Sequence, residues 1–381
     1  MRVAIVHNWY VTTGRGERVA EALASLYPQA DLFALVADPA CVPRSLTDRR
    51  LTTSFLNQLP LVRRAYRHLL PLYPLAVEQL DLTGYDLVLT SDSGPMKGVI
   101  VSPSAVHVCY CHSPMRYLWD RYHPCCSEMG GVTRFVFSMA AHYVRNWDQA
   151  AAQRVTHFAA SSRYVAARIR QYYGRESTVV YPPVDTASGR LHSAPSEAYL
   201  TVSPLTSHKR VDLLIEACNR LGRRLRIIGS GPDEARLRSM AGHAIEFLGE
   251  VGQETLWNEY ARCSAFLYAA EADFGMALVE AQACGRPVIA FGRGGALECV
   301  ASLDNAGHRT TCTGVFFYQQ TAAAAEAAIR RFESNEHRFQ PAVIRMHAAR
   351  FGVQAFCRSF QAIVDEALQI SPSMSRLEVC L

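Results

Sequence analysis

Glu280 lies in the apolar run MALVEAQAC, and the residues three and four positions away are Met276, Ala277, Ala283 and Cys284. No opposite charge shares its helical face. A bare carboxylate there is costly unless something polar meets it. Two readings are open: a helix-edge side chain reaching water, or an acceptor for a ligand's hydroxyl groups. Lys209 and Arg210 stand just before a periodic helical stretch, where cations and backbone N–H groups together grip phosphate. His112 follows the strand-like run VHVCYC. A histidine at that end of a strand is a candidate acid, base or hydrogen-bond donor, or else a structural ring bonding backbone near Pro114. Gly229 and Gly231, and Gly292, Gly294 and Gly295, break strands and allow backbone to approach a ligand closely. Gly14 and Gly16 fill a loop between a strand and a helix, a weak phosphate signal by itself. Taken together, these residues favour an anionic, hydroxyl-rich ligand.

The elements that must position them alternate. Residues 2–7, 31–36, 85–91, 106–110, 155–160 and 178–181 read as strands, with helices over 17–26, 134–154 and 162–173 and Ser161-Ser162 as a cap. The Pro/Ser/Gly-rich PPVDTASG then reads as a linker. A second set follows: strands 198–202, 224–228, 245–248, 266–270 and 286–291, with helices 211–221, 233–240, 253–262 and 275–284, the last stopped by Gly285. Residues 341–368 read as helical. The expected fold is α/β, with two Rossmann-like doubly wound domains facing across a cleft that holds the ligand. Their expected bounds are 1–186 and 187–350, with a helical tail, 351–381, packing back on the first.

A chain of 381 residues, 49% hydrophobic and 19% charged, suits two soluble globular domains. No apolar run reaches the roughly eighteen residues of a spanning helix. The first apolar run is too short for a signal peptide, so the expected location is cytoplasmic. The net charge of +5 is uneven: residues 1–190 hold 20 Lys+Arg against 14 Asp+Glu, and the remainder 19 against 20. That excess suits an anionic ligand or membrane surface and is too small for nucleic acid. Within it, Arg63, Arg64, Arg67 and His68 alternate with apolar residues over 61–75, as in a basic amphipathic helix on a membrane or a packed surface helix. Twelve cysteines form no CxxC pair. Buried thiols are a better reading than a zinc site built with His107, His112 and His123.

Long stretches then carry a resemblance: HVCYCHSPMRYLWD, SRYVAARIRQYYG, VVYPPVD, HKRVDLLIEA, IIGSGP, FLGEV, DFGMALVEAQACGRPVIAFGRGGALE and TGVFFYQQT. They cover nearly the whole chain and resemble the retaining family-4 glycosyltransferases of the GT-B fold, especially the bacterial mannosyltransferase-like subgroup of lipopolysaccharide and exopolysaccharide assembly. The resemblance implies a hexosyltransferase acting with retention, with GDP-mannose as donor and a polyprenyl-linked or glycan acceptor. It also implies no metal and peripheral contact with the inner face of an anionic membrane. By position, it implies catalytic roles for His112, Lys209 and Glu280, with Lys209 on the donor diphosphate and Glu280 on the ribose. The resemblance places Gly14, Gly16, Gly294 and Gly295 near the diphosphate, and donor contacts are expected as well from Arg15, Arg210, Gly229, Gly231, Asp273, Phe274 and Gly275.

Three positions depart from that pattern. Ala272 stands where the family has the first glutamate of a pair, Pro204 where it has an arginine, and Arg15 where it has a glycine. Arg15 could replace the cation missing at 204, with Glu271 or Asp273 covering for Ala272. Alternatively the chain is a transferase-like subunit that binds without efficient turnover. A glycoside hydrolase using Asp273 and Glu280 and a sugar-nucleotide epimerase are the rival enzymes.

Overall fold

The apolar N-terminal run forms β1 (Val3–Tyr10), buried on both faces as a central parallel strand must be. In the computed structural model, which describes residues 1–12, 14, 16–66, 69–192, 196–304 and 312–370, this strand lies in the middle of the first of two units. That unit comprises Met1–Pro183 and the chain from Phe356 onward; the other is Val184–Ala355.

In the first unit, β1 is joined by β2 (Asp31–Ala37), β3 (Leu51–Thr53), β4 (Leu87–Asp92), β5 (Val106–Cys111), β6 (His157–Ala160) and β7 (Thr178–Val179). Every pairing is parallel, in the order β3-β2-β1-β4-β5-β6-β7. The covering helices are α1 (Glu17–Leu26), α2 (Val62–Ala65), α3 (Tyr73–Glu78), α4 (Tyr122–Ser127), α5 (Gly131–Gln153) and α6 (Arg163–Tyr173). Local chemistry sets α6 at both ends: the Ser162 hydroxyl accepts the Val165 N–H at 3.0 Å, and Gly174 takes the left-handed conformation.

The second unit contains β8 (Tyr199–Val202), α7 (Val211–Leu221), β9 (Leu225–Ile228), α8 (Glu234–Met240), β10 (Ile245–Gly249), α9 (Gln253–Arg262) and β11 (Phe266–Tyr268). These are followed by α10 (Met276–Ala283), β12 (Val288–Phe291), α11 (Ala296–Cys299), β13 (Gly314–Phe317), α12 (Ala322–Glu333) and α13 (Pro341–Ala349). Its six strands run in the order β10-β9-β8-β11-β12-β13, again all parallel. Both units are therefore doubly wound α/β folds, as the alternation of the sequence implied.

One expectation is corrected. Residues 61–75 do not make one amphipathic helix. They give the single turn α2, a 3₁₀ turn over Leu70–Leu72 and the start of α3, with Pro71 and Pro74 setting the breaks. Val62, Tyr66, Leu70 and Tyr73 are core residues, and Arg63 is paired with Asp38 at 3.1 Å. Arg67 and His68 lie outside the described residues. Residues 341–368 are helical as expected, in the form of α13 and α14 (Val353–Ile370), separated where Gly352 bridges to Val184 and the Phe351 carbonyl accepts the Val184 N–H. Phe356, Phe360 and Val364 of α14 are buried in the core beneath β1 and α1.

Candidate functional site

In an open parallel sheet, ligands gather at the carboxyl ends of the strands where the winding reverses. In the second unit that point lies between β8 and β11. Lys209 closes the 3₁₀ turn Ser207–Lys209 after β8, and its ammonium stands 6.0 Å from the ring of Tyr268, the last residue of β11. No carboxylate pairs with it among the described residues. Arg210 differs. It takes a left-handed backbone, and its guanidinium is held on Asp212 by contacts of 3.1 Å from Nε and Nη2. Its charge is compensated locally.

The glycines also have a cause within the protein itself. A Cβ on Gly229 would lie 2.1 Å from the Ser203 carbonyl oxygen, and one on Gly231 would lie 2.3 Å from that of Leu205. A Cβ on Gly294 would meet the Ala272 oxygen at 2.3 Å, and one on Gly295 the Phe274 Cα at 2.4 Å. Loops pack on loops at these points, so the missing side chains are needed before any ligand arrives. Ser230 between the first pair donates to Glu250 at 2.5 Å.

The β11–α10 loop is fastened through its main chain. Ala272 bridges Gly294, and its carbonyl accepts the Gly295 N–H at 2.8 Å. Glu271 faces Arg293 at 3.5 Å. Asp273 is partly exposed, Phe274 is buried edge-on against Phe351 at 5.4 Å, and Gly275 opens α10 with φ near 101°. Glu280 is 1% exposed, which rules out a helix edge reaching water. Its polar partner is the Tyr260 hydroxyl of α9, which donates at 3.0 Å.

In the first unit the winding reverses between β1 and β4, and a chain of three side chains crosses there. Ser91 Oγ lies 2.8 Å from His112 Nε2 and 3.1 Å from His7 Nδ1. His112 is therefore bonded to a serine of the neighbouring strand through its ring, which also stands edge-on to Tyr110 at 5.1 Å, while its carbonyl accepts from Ser161. Burial pushes both imidazoles down, to about 4 for His112 and, with the His112 charge adding, to about 3 for His7. Both are neutral at pH 7. Asn8 donates to the Ser91 carbonyl and to Ser93 Oγ, while its buried Oδ1 has no partner. Gly16 caps α1, where an added Cβ would lie 3.8 Å from His7; at Gly14 it would meet the Glu17 carboxylate at 2.9 Å. Arg15 lies outside the described residues.

Below this, Asp92 at the end of β4 accepts the N–H groups of Gly94 and Met96 at 3.0 and 2.9 Å, shaping the following loop. Lys97, wholly buried, pairs with Asp92 at 3.3 Å and with Asp148 of α5. Trp119 and Tyr173 donate to the other Asp148 oxygen. The sequence reading missed His7, Asn8, Ser91, Tyr260 and Arg293. His7 and Asn8 carried a usable signal, polar residues at the carboxyl end of a first buried strand. Cys109 and Cys111 are buried thiols of β5, and His107 Nε2 lies 3.1 Å from Thr90 Oγ1. No group of three or more His, Cys, Asp or Glu is placed to hold a metal ion among the described residues.

Known proteins share this design. Residues 16–188 match the model of Glycosyltransferase Family 4, and residues 190–348 match that of Glycosyl transferases group 1. No curated protein matches the sequence. Among solved structures, Anabaena Alr3699/HepE in complex with UDP-glucose superposes with TM-score 0.70 at 16% identity, over 96% of this chain and all of that one. Sucrose-phosphate synthase from Thermosynechococcus elongatus gives 0.72 at 17% identity, over 97% and 100%. A glycosyltransferase from Rickettsia africae gives 0.63 at 16%, over 96% and 98%. With a Glycosyltransferase Family 4 domain followed by a Glycosyl transferases group 1 domain on two doubly wound sheets, the chain is a glycosyltransferase of the GT-B type.

Proposed function

We propose that the protein transfers a hexosyl group, with retention, from a nucleotide sugar to a lipid-linked or polysaccharide acceptor in cell-surface glycan assembly. The observation that carries this is Lys209: a cation at the switch point of the second sheet with no carboxylate to neutralise it among the described residues. A diphosphate leaving group needs such a charge, and with helix N-termini it supports departure without a metal. Glu280, held on Tyr260, would accept from the ribose, and Phe274, its ring buried, would contribute only main chain. Neutral His112, bonded to Ser91, would serve the acceptor side as a hydrogen-bonding group.

GDP-mannose is the first donor to try, from the subgroup resemblance. UDP-glucose is the second, because Anabaena HepE is bound to it. The acceptor implies attachment to the inner face of an anionic membrane. The test is a panel of nucleotide sugars with and without membrane lipid extract, run on the parent and Lys209→Ala. Donor-dependent transfer by the parent, lowered at least tenfold in Lys209→Ala, is the expected result; unchanged transfer in the variant sinks the assignment.

One observation favours a second reading, a binding subunit with little turnover. Ala272 offers only a buried methyl where the family has a carboxylate, and Glu271 beside it is turned to Arg293. Tight nucleotide binding with no product from any donor would establish that reading.

A further inference from the structure

Ser91 Oγ, on β4, stands between two imidazoles, 3.1 Å from His7 Nδ1 and 2.8 Å from His112 Nε2. A serine hydroxyl has one proton to donate. Burial keeps both rings neutral at pH 7, so each has one N–H and one bare nitrogen. Counting protons leaves few arrangements. Where the hydroxyl donates to one ring, the other ring must donate to the hydroxyl. Were both rings to donate, the hydroxyl proton would be stranded. Ser91 is 0% exposed, and its Oγ has no further partner among the described residues. The tautomers of His7 and His112 are thus coupled through one proton.

Two features choose its direction. The 2.8 Å contact has the length of a bond from an O–H donor, and the 3.1 Å contact that of a bond from an N–H donor. A hydrogen bond at the Ser91 main chain also favours the protonated form of His7, as it does only where the ring donates. His7 Nδ1–H therefore donates to Ser91, and Ser91 donates to His112 Nε2. The His112 proton is left on Nδ1, which has no partner among the described residues, and the residue keeps part of its surface open. Tyr10 packs on His7 and Tyr110 on His112, at 5.0 and 5.1 Å between ring centroids, and these contacts hold the two rings in place.

We propose that Ser91, with His7 donating to it, is a positioning residue that fixes His112 as its Nδ1–H tautomer, so that His112 offers a ligand a hydrogen-bond donor and no acceptor. The consequence for turnover rests on the transferase reading above: His112 donates to a sugar oxygen and does not take a proton as a general base.

The test is nitrogen NMR of the protein carrying isotope-labelled histidine, at pH 7 and without substrate, where the shifts of the two ring nitrogens identify each tautomer. Signals are assigned by their loss in His7→Gln and His112→Asn. The parent should show both rings as Nδ1–H. Ser91→Ala, checked for folding by thermal unfolding, should convert most of His112 to Nε2–H, and Ser91→Thr, which keeps the hydroxyl, should restore Nδ1–H. A parent with His112 as Nε2–H overturns the proposal without any variant, and so does a Ser91→Ala protein that keeps Nδ1–H. At saturating donor, kcat should fall at least tenfold in Ser91→Ala and return to within threefold of the parent in Ser91→Thr. Equal losses in the two serine variants would reduce Ser91 to packing and overturn the positioning role. Tautomers as stated, with no transfer from any donor, would remove the transferase assignment and leave the tautomer lock standing.

Discussion

Replacing Lys97 by methionine should be among the most damaging single changes in the first unit. The ammonium is 0% exposed, and its two carboxylate partners are 1% and 0% exposed. Burial alone would lower the Lys97 pKa, but Asp148 and Asp92 hold it well above the ordinary value, so the group is charged at any usable pH. Methionine fills similar volume, so the loss is mainly electrostatic: two carboxylates are left facing each other, away from water. Breaking a buried pair in this way costs about 3–5 kcal/mol. For a unit of this size each kcal/mol shifts the midpoint by about 2–4 °C, giving a fall of about 6–20 °C. The pH dependence has a definite sign. Burial already raises the Asp92 pKa in the parent, with Lys97 opposing it. Without the lysine it rises further, so Asp92 prefers its proton in the folded state. That preference stabilises at low pH and is lost as pH rises through the folded pKa. The deficit of Lys97→Met should therefore be smaller at pH 5 than at pH 8, and Lys97→Met/Asp148→Asn should recover part of it. Urea unfolding of the three proteins at both pH values is the assay. A deficit under about 1 kcal/mol at pH 8, or one that grows toward pH 5, would refute the reasoning.

Tyr260→Phe removes one buried hydrogen bond to the Glu280 carboxylate and should cost about 1.5–3 kcal/mol in urea unfolding with unchanged slope; a loss below about 0.5 kcal/mol would show that the hydroxyl is dispensable. Gly295→Ala places a methyl on the Phe274 main chain, which has no side-chain freedom to yield. It should destabilise by about 1–3 kcal/mol and weaken nucleotide-sugar binding, read by titration calorimetry. His7, buried and neutral with its pKa lowered to about 3, stabilises the fold above its unfolded pKa near 6.5; the contribution drains as pH falls toward 3, by about 1.4 kcal/mol per pH unit. His7→Gln should flatten the acid limb of the stability profile by that slope, and an unchanged limb would count against a neutral His7. His112, lowered to about 4, should give kcat/KM no inflection between pH 6 and 7, and an apparent pKa near 6.5 would contradict its burial.

The elements that local chemistry could specify were legible. Helices α1, α7 and α9 run over the residues that periodicity marked, because each has an apolar stripe and polar ends. What went unread depended on distant partners. Gly314–Phe317 is a four-residue apolar run that becomes β13 only by pairing with β12, and no local period separates that outcome from a buried helix turn. The interruption at Gly352 within the helical stretch 341–368 is fixed by Val184, far away in sequence. At the candidate site the same division holds. The spacing around Glu280 left open whether water or a polar group meets it, and Tyr260 sits twenty residues earlier, on a helix whose orientation the local pattern does not contain.

The glycines carry the more general lesson. A loop that must admit a diphosphate and a loop that must admit another loop both exclude Cβ, so the sequence signal is identical. At 229, 231, 294 and 295 the second requirement is met within the protein itself. This bears on Ala272, whose carbonyl and bridge to Gly294 help hold the β11–α10 loop through main-chain atoms. The side chain at 272 is no part of that fastening, so a carboxylate can be absent there while the frame around Lys209, Asp273 and Gly275 stays intact. An intact frame is therefore compatible with full transfer and with nucleotide binding alone. The two differ only in the chemical step, so turnover at saturating donor, rather than affinity or stability, is the measurement that separates them.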